Sequence, residues 1–486
     1  MFSFLPCLLL LAANGDQDLE TQARNFAEIY AAVERQAADP VDPLKAFYEG
    51  AIPGMLRRLD PHSVFFDPGQ FDQLKRLQES RTKGFGTVVS VLPGRVIVLQ
   101  TLPGTPSAKA GLSPGDEIIA VNGYQLARLS TEQLIALLGE SRQKPVSLDV
   151  RRPGNARTLK FTLQPEELQS PSVERAFFLK PGVGYIKVTS FDAQTGKQLK
   201  EAIEKLGGAV LKGLVLDLRD NPGGLLPAAL EIASMFLKPG QEVVAVRGRS
   251  VAASREKVPE TSQPYGFPLA VLVNGKSASA AEIVAGSLQD HDRAVIVGEP
   301  SFGKGLVESV FPLSEGTGLA LTTAFYYTPS GRSIQRPLKE GGQLDAVTNS
   351  GSHGAPKAFQ TDAGRPVKGG GGIQPDQVVY QERLSRLQIV LDATGSFTSF
   401  ATEYTHGHTP IPEPFEVTPE VLDAFQAWLT PRRIRPGVEE WLRYRDWIKN
   451  RLKTEIFNQA LGVAKGDEVE AQRDPQILTA LQTLAL

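Results

Sequence analysis

The strongest constraint on what this chain can fold into lies between residues 268 and 308. An apolar run, Leu269-Ala270-Val271-Leu272-Val273, precedes Asn274-Gly275-Lys276-Ser277-Ala278-Ser279-Ala280-Ala281-Glu282, which runs on into Ile283-Val284-Ala285-Gly286-Ser287-Leu288. A β-branched apolar run of this length suits a strand buried on both faces, and Ile283, Val284 and Leu288 lay an apolar stripe along a following helix. The pattern predicts strand, tight turn and helix, with two serines where the strand delivers its chain into the helix. Unpaired N–H groups at a helix start suit a developing oxyanion. A second apolar run, Ala294-Val295-Ile296-Val297, then enters the glycine-rich loop Gly298-Glu299-Pro300-Ser301-Phe302-Gly303-Lys304-Gly305. A serine and a lysine are thus presented from neighbouring turns.

A chain of 486 residues is expected to form about three domains. Its 52 basic and 54 acidic residues leave a net charge of −2, so bulk charge points to neither nucleic acid nor an anionic membrane. The single cysteine, Cys7, sits in the apolar leader at residues 2–13, which leaves the rest without a disulfide, a thiolate metal site or a thiol nucleophile. No metal or cofactor is expected. The leader, taken as residues 1–15, resembles the apolar core of a secretory signal without its basic start, and is too short to span a bilayer. Export to the periplasm or cell envelope is the expectation, with a cytoplasmic location if the leader is not functional.

Residues 18–83 read as a small helical region broken by Pro40, Pro43, Pro53 and Pro61. Within it, His62 of Leu59-Asp60-Pro61-His62-Ser63 is read as a structural histidine in a helix-terminating turn, with no partner evident nearby. From 84 to 165 the chain changes to short strands, at 87–91, 96–100, 117–121, 146–150 and 158–163, around one helix at 131–138 capped by Ser130 or Thr131. Gly84-Phe85-Gly86-Thr87-Val88, Gly104-Thr105-Pro106-Ser107-Ala108-Lys109-Ala110-Gly111-Leu112 and Gly115-Asp116-Glu117-Ile118-Ile119-Ala120-Val121-Asn122-Gly123 resemble a PDZ domain. That resemblance implies that Gly84, Phe85, Gly86 and Thr87 receive a peptide's C-terminal carboxylate, the peptide adding as a strand.

An acidic linker at 166–174 is expected to lead into alternating strands and helices, which argue an α/β layer with a largely parallel sheet. Loops at the carboxyl ends of such strands form the usual site. The turn Asp217-Leu218-Arg219-Asp220-Asn221-Pro222-Gly223-Gly224, the Ser277/Ser279 turn and the Lys304 loop all fall at such ends. Residues 340–372 are expected to be an exposed or mobile insertion, with order returning at Ile373. The remainder, from about 396, reads as mainly helical, with Trp428, Trp441 and Trp447 packing in a core or interface.

Acyl transfer needs a nucleophile, a base and oxyanion donors. Ser279 is the candidate nucleophile and Lys304 the base, with the backbone N–H groups of Ala280 and Gly223 as oxyanion donors. On residue types alone Ser277 competes equally with Ser279. A lysine acts as base only when neutral, so an apolar setting is required, expected from 295–297 and Phe302.

The same motifs, in this order and joined by Tyr327-Thr328-Pro329-Ser330-Gly331-Arg332-Ser333-Ile334-Gln335, resemble the carboxyl-terminal processing proteases, the tail-specific proteases of peptidase family S41 that carry a PDZ domain. The resemblance covers most of residues 25–395. It implies a multidomain α/β protein: a crotonase-like core at 175–395, an inserted PDZ domain at 84–165, and helical N- and C-terminal regions at 18–83 and 396–486. It also implies a serine endopeptidase in which Ser279 is nucleophile, Lys304 its base, and Gly223 part of the oxyanion hole. Substrates would be proteins with apolar C-termini, and a homo-oligomer would form through the helical regions.

One position departs from the family pattern. Glu308 stands where a glutamine usually orients the lysine, and an ionised carboxylate there would favour the ammonium form. Glu308 would orient the lysine while protonated, turn to another cation, or leave the enzyme weakly active. The alternative reading is an inactive PDZ-containing scaffold, and a further one is a non-peptidase hydrolase on the same core.

Overall fold

The computed structural model describes residues 16–78, 81–337, 359–408 and 410–484. The leader and Cys7 lie outside them, as do residues 338–358 of the expected insertion. The chain divides into two compact units, the first formed by residues up to 71 together with 308–322. Here helix α1 (Asp16–Gln36) brings Phe26 and Tyr30 to Phe47, with ring centroids 5.7 and 4.8 Å apart. The region is not wholly helical as expected, because strand β1 (Val64–Phe66) pairs antiparallel with Gly318–Ala320.

The Asp-Pro-His-Ser turn that precedes β1 is organised by buried Asp60. Its Oδ1 accepts the N–H groups of His62 (2.7 Å) and Ser63 (2.8 Å), and its Oδ2 accepts the Ser63 hydroxyl (2.8 Å). This is an Asx-type turn, which explains an aspartate immediately before proline. His62, expected to lack a neighbour, places Nδ1 4.0 Å from Glu308 Oε1. Glu308 comes from far along the chain, so spacing could not have indicated the pair.

In the second unit, a six-stranded antiparallel sheet runs in the order β2 (Thr87–Leu92), β3 (Arg95–Thr101), β4 (Glu117–Val121), β5 (Val146–Arg151) and β6 (Leu159–Leu163), with the two-residue strand Tyr124–Gln125 pairing with β4. Helix α2 (Thr131–Ser141) packs beside it, opened by a reciprocal pair in which Ser130 Oγ accepts Gln133 N–H and Gln133 Oε1 accepts Ser130 N–H. A second, five-residue helix, Pro106–Ala110, was not anticipated; proline at its first position and Gly111 at φ 84° after its end delimit it. The expected linker is also structured. Glu166–Gln169 pairs antiparallel with Arg81–Gly84, so the segment between is anchored at both ends on one two-stranded ribbon.

The central sheet runs β7 (Val173–Lys180), β8 (Val183–Val188), β9 (Gly213–Asp217), β10 (Leu269–Val273), β11 (Val295–Gly298) and β12 (Gln377–Val378), parallel from β8 onward. Every residue of β9 and β10 is buried, because both faces are covered. On one face lie helices α3 (Thr195–Lys205), α4 (Leu226–Ser234) and α5 (Ala280–Asp290), through Leu199, Ile203, Ile232 and Val284. The other face is closed by α6 (Pro475–Thr483), whose Ile477 and Ala480 meet Val215, Ala270 and Leu272. Fully burying each such Leu, Ile or Val contributes about 1.5–3 kcal/mol.

A separate aromatic core in the C-terminal region packs Phe397, Phe400 and Phe425 with Trp428, Trp441 and Trp447. The tryptophans thus take the packing role read from the sequence. Residues 359–372, expected to be loose, instead form a short hairpin between Phe359–Gln360 and Pro366–Val367, with buried Thr361 at its turn. Among the described residues no helix is long and apolar enough to cross a membrane.

Candidate active site

Strand β10 is sealed on both faces, so its chemistry can emerge only at its carboxyl end. There Ser277, fully buried, donates its hydroxyl to Leu218 O (2.7 Å) and accepts Asn274 N–H (2.9 Å). Its oxygen is spent in stapling this turn to the turn after β9. Ser279, two residues on and half-buried, sits at φ 54°, ψ −116°, a conformation normally left to glycine at the first central position of a type II′ turn. Such backbone costs about 1–3 kcal/mol and persists where surrounding bonds over-determine it. Here Glu282 Oε2 accepts Ser279 N–H (2.9 Å), and the buried Tyr326 hydroxyl donates to Ser279 O (3.2 Å). Burial, followed by the nearby Glu282 carboxylate, pushes Tyr326 well above the ordinary tyrosine range, so it remains a donor. The two serines are therefore separable: Ser277→Ala should lower the melting temperature by several degrees, about 1–3 kcal/mol for the unpaired groups left behind, while purified folded protein keeps its turnover within about tenfold. Thermal unfolding beside a peptidase assay checks this.

The turn after β9 comes to the same place. Asn221, fully buried, donates Nδ2 to Val188 O (2.8 Å), its carbonyl accepts Ala278 N–H (2.9 Å), and its Oδ1 accepts Gly223 N–H (2.8 Å). Gly223 lies at φ 95°, so close to the serine turn that a Cβ would fall 2.7 Å from Ala278 O, 2.8 Å from Ser279 Cβ and 2.9 Å from Ala280 N. The Ala280 N–H at the head of α5 has no acceptor among the described residues. Of the two amides expected to face an oxyanion, Ala280's is available, whereas Gly223's is engaged by Asn221. The turn is held from behind by Arg219, which grips Asp217 and reaches Asp474 (2.5 Å) and Gln476 (2.9 Å) at the start of α6. Tyr185 donates to the same Asp217 (2.7 Å).

The lysine loop is fixed to this assembly through backbone. Ser277 O accepts Phe302 N–H (2.9 Å), Glu282 accepts the N–H groups of Gly303 (2.7 Å) and Lys304 (2.9 Å), and Gln335 Oε1 accepts Gly305 N–H (2.8 Å). The Arg332 segment is locked in turn, since buried Arg332 donates to Asp290 (2.7 Å) and Gln289 (2.8 Å) at the end of α5. The dry setting expected around Lys304 is only partly present: Lys304 is half-buried and Phe302 is 46% exposed.

In the six-stranded antiparallel sheet, β2 is an edge strand, paired among the described residues only with β3. Before it, Phe85 O accepts Ser107 N–H (3.0 Å) and Gly86 O accepts Leu102 N–H (2.8 Å), while the amides of Phe85 and Gly86 have no acceptor among the described residues. Gly86 is required here, at φ 72°, because a Cβ would lie 2.3 Å from Thr105. Thr87 Oγ1 hydrogen-bonds to Ser107 Oγ.

Residues 182–344 match the model of peptidase family S41, and residues 97–152 match that of a PDZ domain. The chain is 36% identical over 344 residues to the carboxy-terminal-processing protease of Bartonella bacilliformis, an alignment covering 68% of this chain and 78% of that one. The chain belongs to the carboxyl-terminal processing proteases of family S41. Further members of these serine-type peptidases align similarly. The carboxyl-terminal-processing protease of Synechocystis is 36% identical over 59% of this chain and 68% of its own. CtpB of Bacillus subtilis is 31% identical over 67% and 68%.

Within this S41 chain the tertiary structure brings Ser279, Ala280, Gly223 and the Lys304 backbone together, and places Gly84, Phe85, Gly86 and Thr87 at the head of an edge strand. Sequence reading missed Asn221, Glu282, Tyr326 and Gln335 as parts of this assembly. Asn221 stood in a turn already placed at the site, and Glu282 and Tyr326 were signalled only as polar residues in segments read as buried helix and strand.

Proposed function

We infer that this S41 protease is an endopeptidase in which Ser279 Oγ attacks the scissile carbonyl and Lys304 Nζ takes its proton. The carbonyl oxygen becomes the oxyanion and accepts the Ala280 N–H. Lys304 then protonates the leaving amine, and water attacks the acyl-serine by the same route. The observation that carries this reading is the strained Ser279 backbone at the head of α5, directly beside an unpartnered Ala280 amide and a glycine whose missing side chain leaves room for the oxyanion. Substrate lying over the half-buried lysine would supply the dryness that Phe302 does not.

Recognition through the PDZ region is part of the same proposal. The Phe85 and Gly86 amides, without an acceptor among the described residues, suit a C-terminal carboxylate, and the open edge of β2 suits an added strand. Lys304→Ala should lower kcat/KM by about 10²–10⁴. A protein substrate ending in an apolar residue should be cut faster with a free carboxylate than as its C-terminal amide. Equal cleavage of both forms would overturn the recognition arm, and an unimpaired Lys304→Ala enzyme the base assignment. The apolar leader supports export to the periplasm or cell envelope; a full-length chain found wholly in the cytosolic fraction of its own cells would overturn that placement.

A further inference from the structure

Glu282 is a fully buried carboxyl group of the catalytic unit that the proposed chemistry does not use. Its side chain is fully buried and surrounded by four donors from two different loops. Oε2 accepts Ser279 N–H and Lys304 N–H, each at 2.9 Å. Oε1 accepts Gly303 N–H at 2.7 Å and the Ser301 hydroxyl at 2.5 Å. One carboxylate oxygen therefore holds the backbones of both dyad residues within two hydrogen-bond lengths of each other. The main chains of the nucleophile turn and the lysine loop are tied by a side chain that belongs to neither reacting group.

We propose that Glu282 is a positioning residue for the reaction, a clamp that fixes the separation of Ser279 from Lys304; this rests on the Ser279/Lys304 reading above. A clamp made of backbone N–H donors needs an ionised acceptor. A protonated carboxyl must point its O–H at one of the four partners; the three backbone N–H groups can only donate and the Ser301 hydroxyl accepts only by reversing its own bond, so at least one of the four bonds is lost or reversed. Burial pushes Glu282 up to about 7, against the opposing hydrogen bonds from Ser301, Lys304, Gly303 and Ser279. Among the described residues, the ionisable residues tied to it or to its partners are Tyr326, whose hydroxyl donates to Ser279 O, Lys304, held through its backbone N–H, and Arg336, which donates to Ser301 O at 3.1 Å. The sign follows: the clamp is whole above about pH 7 and loosens as pH falls through that value.

Two variants test the clamp in the full-length chain. Glu282→Gln keeps the shape but places an N–H₂ against N–H donors, and should lower kcat by about 10²-fold with KM within about twofold, the signature of misplaced reacting groups rather than lost binding. Ser301→Ala removes one bond to the ionised form, together with the acceptor of the Ile373 N–H (2.6 Å), without touching Ser279, and should move the acidic limb of the pH–rate profile to higher pH. A folded Glu282→Gln enzyme with unchanged kcat would overturn the proposal. Should that variant not fold, a Ser301→Ala limb that stays in place would overturn it instead. Ser279→Ala and Lys304→Ala are assayed alongside: activity surviving in those two sinks the dyad reading, whereas their inactivity with a normal Glu282→Gln enzyme sinks the clamp alone.

Discussion

Alanine in place of Ser279 should reduce cleavage of a protein substrate to background, a loss of at least about 10³-fold, while the protein stays folded. Stability should hardly change, because the bonds that fix this residue are made by its backbone: its N–H to Glu282 and its carbonyl from Tyr326. The strain at φ 54° is a backbone property too, and alanine inherits it. Glycine does not. Ser279→Gly should be equally inactive yet more stable than Ser279→Ala by about 1 kcal/mol, since only glycine adopts this conformation without a Cβ penalty. Labelling with a serine-directed phosphonate should vanish in both variants and persist in Ser277→Ala. Retained turnover in Ser279→Ala would remove the nucleophile assignment.

The second large effect is expected at Gly223. A methyl group there would lie inside contact distance of Ala278 O, Ser279 Cβ and Ala280 N at once, two of them backbone atoms that cannot swing away. Gly223→Ala should therefore displace the serine turn or fill the space beside the Ala280 amide. The expected result is a fall in kcat of about 10²–10³, comparable to losing an oxyanion donor, together with a lower melting temperature. Gly331→Ala is the control. It also lies at positive φ, 83°, but a Cβ there would meet nothing within 4 Å, so it carries the strain without the intrusion. If the two variants lose activity equally, strain alone explains the effect and the oxyanion space is not at Gly223.

Much of this site was legible in the chain because it is built from local signals. An apolar run short enough for a strand, small residues at its exit and an apolar helical stripe after it place Ser279 at a strand-to-helix junction. What local signals could not decide was which serine reacts. Ser277 and Ser279 are equivalent in composition and spacing, and they differ only because Leu218 O, from the turn after β9 and 59 residues earlier, captures the Ser277 hydroxyl. Gly223 was readable as a turn glycine, but that its amide is engaged by Asn221 depends on a side chain buried against Val188. Glu308 was recognised as a departure, yet its neighbour His62 lies in a turn that looked self-contained.

The alternation of strands and helices, the β-rich insertion and the three strand-end turns could be read along the chain, since each follows from the periodicity and turn chemistry of a few adjacent residues. What covers the second face of the central sheet and what joins the turns came from long-range packing. Helix α6, more than 200 residues beyond β9, closes that face, and its first turn anchors Arg219. The Glu282 carboxylate joins the serine turn to the lysine loop. Burial and hydrogen bonding across such separations depend on where the folded chain brings its surfaces, and no local pattern records that.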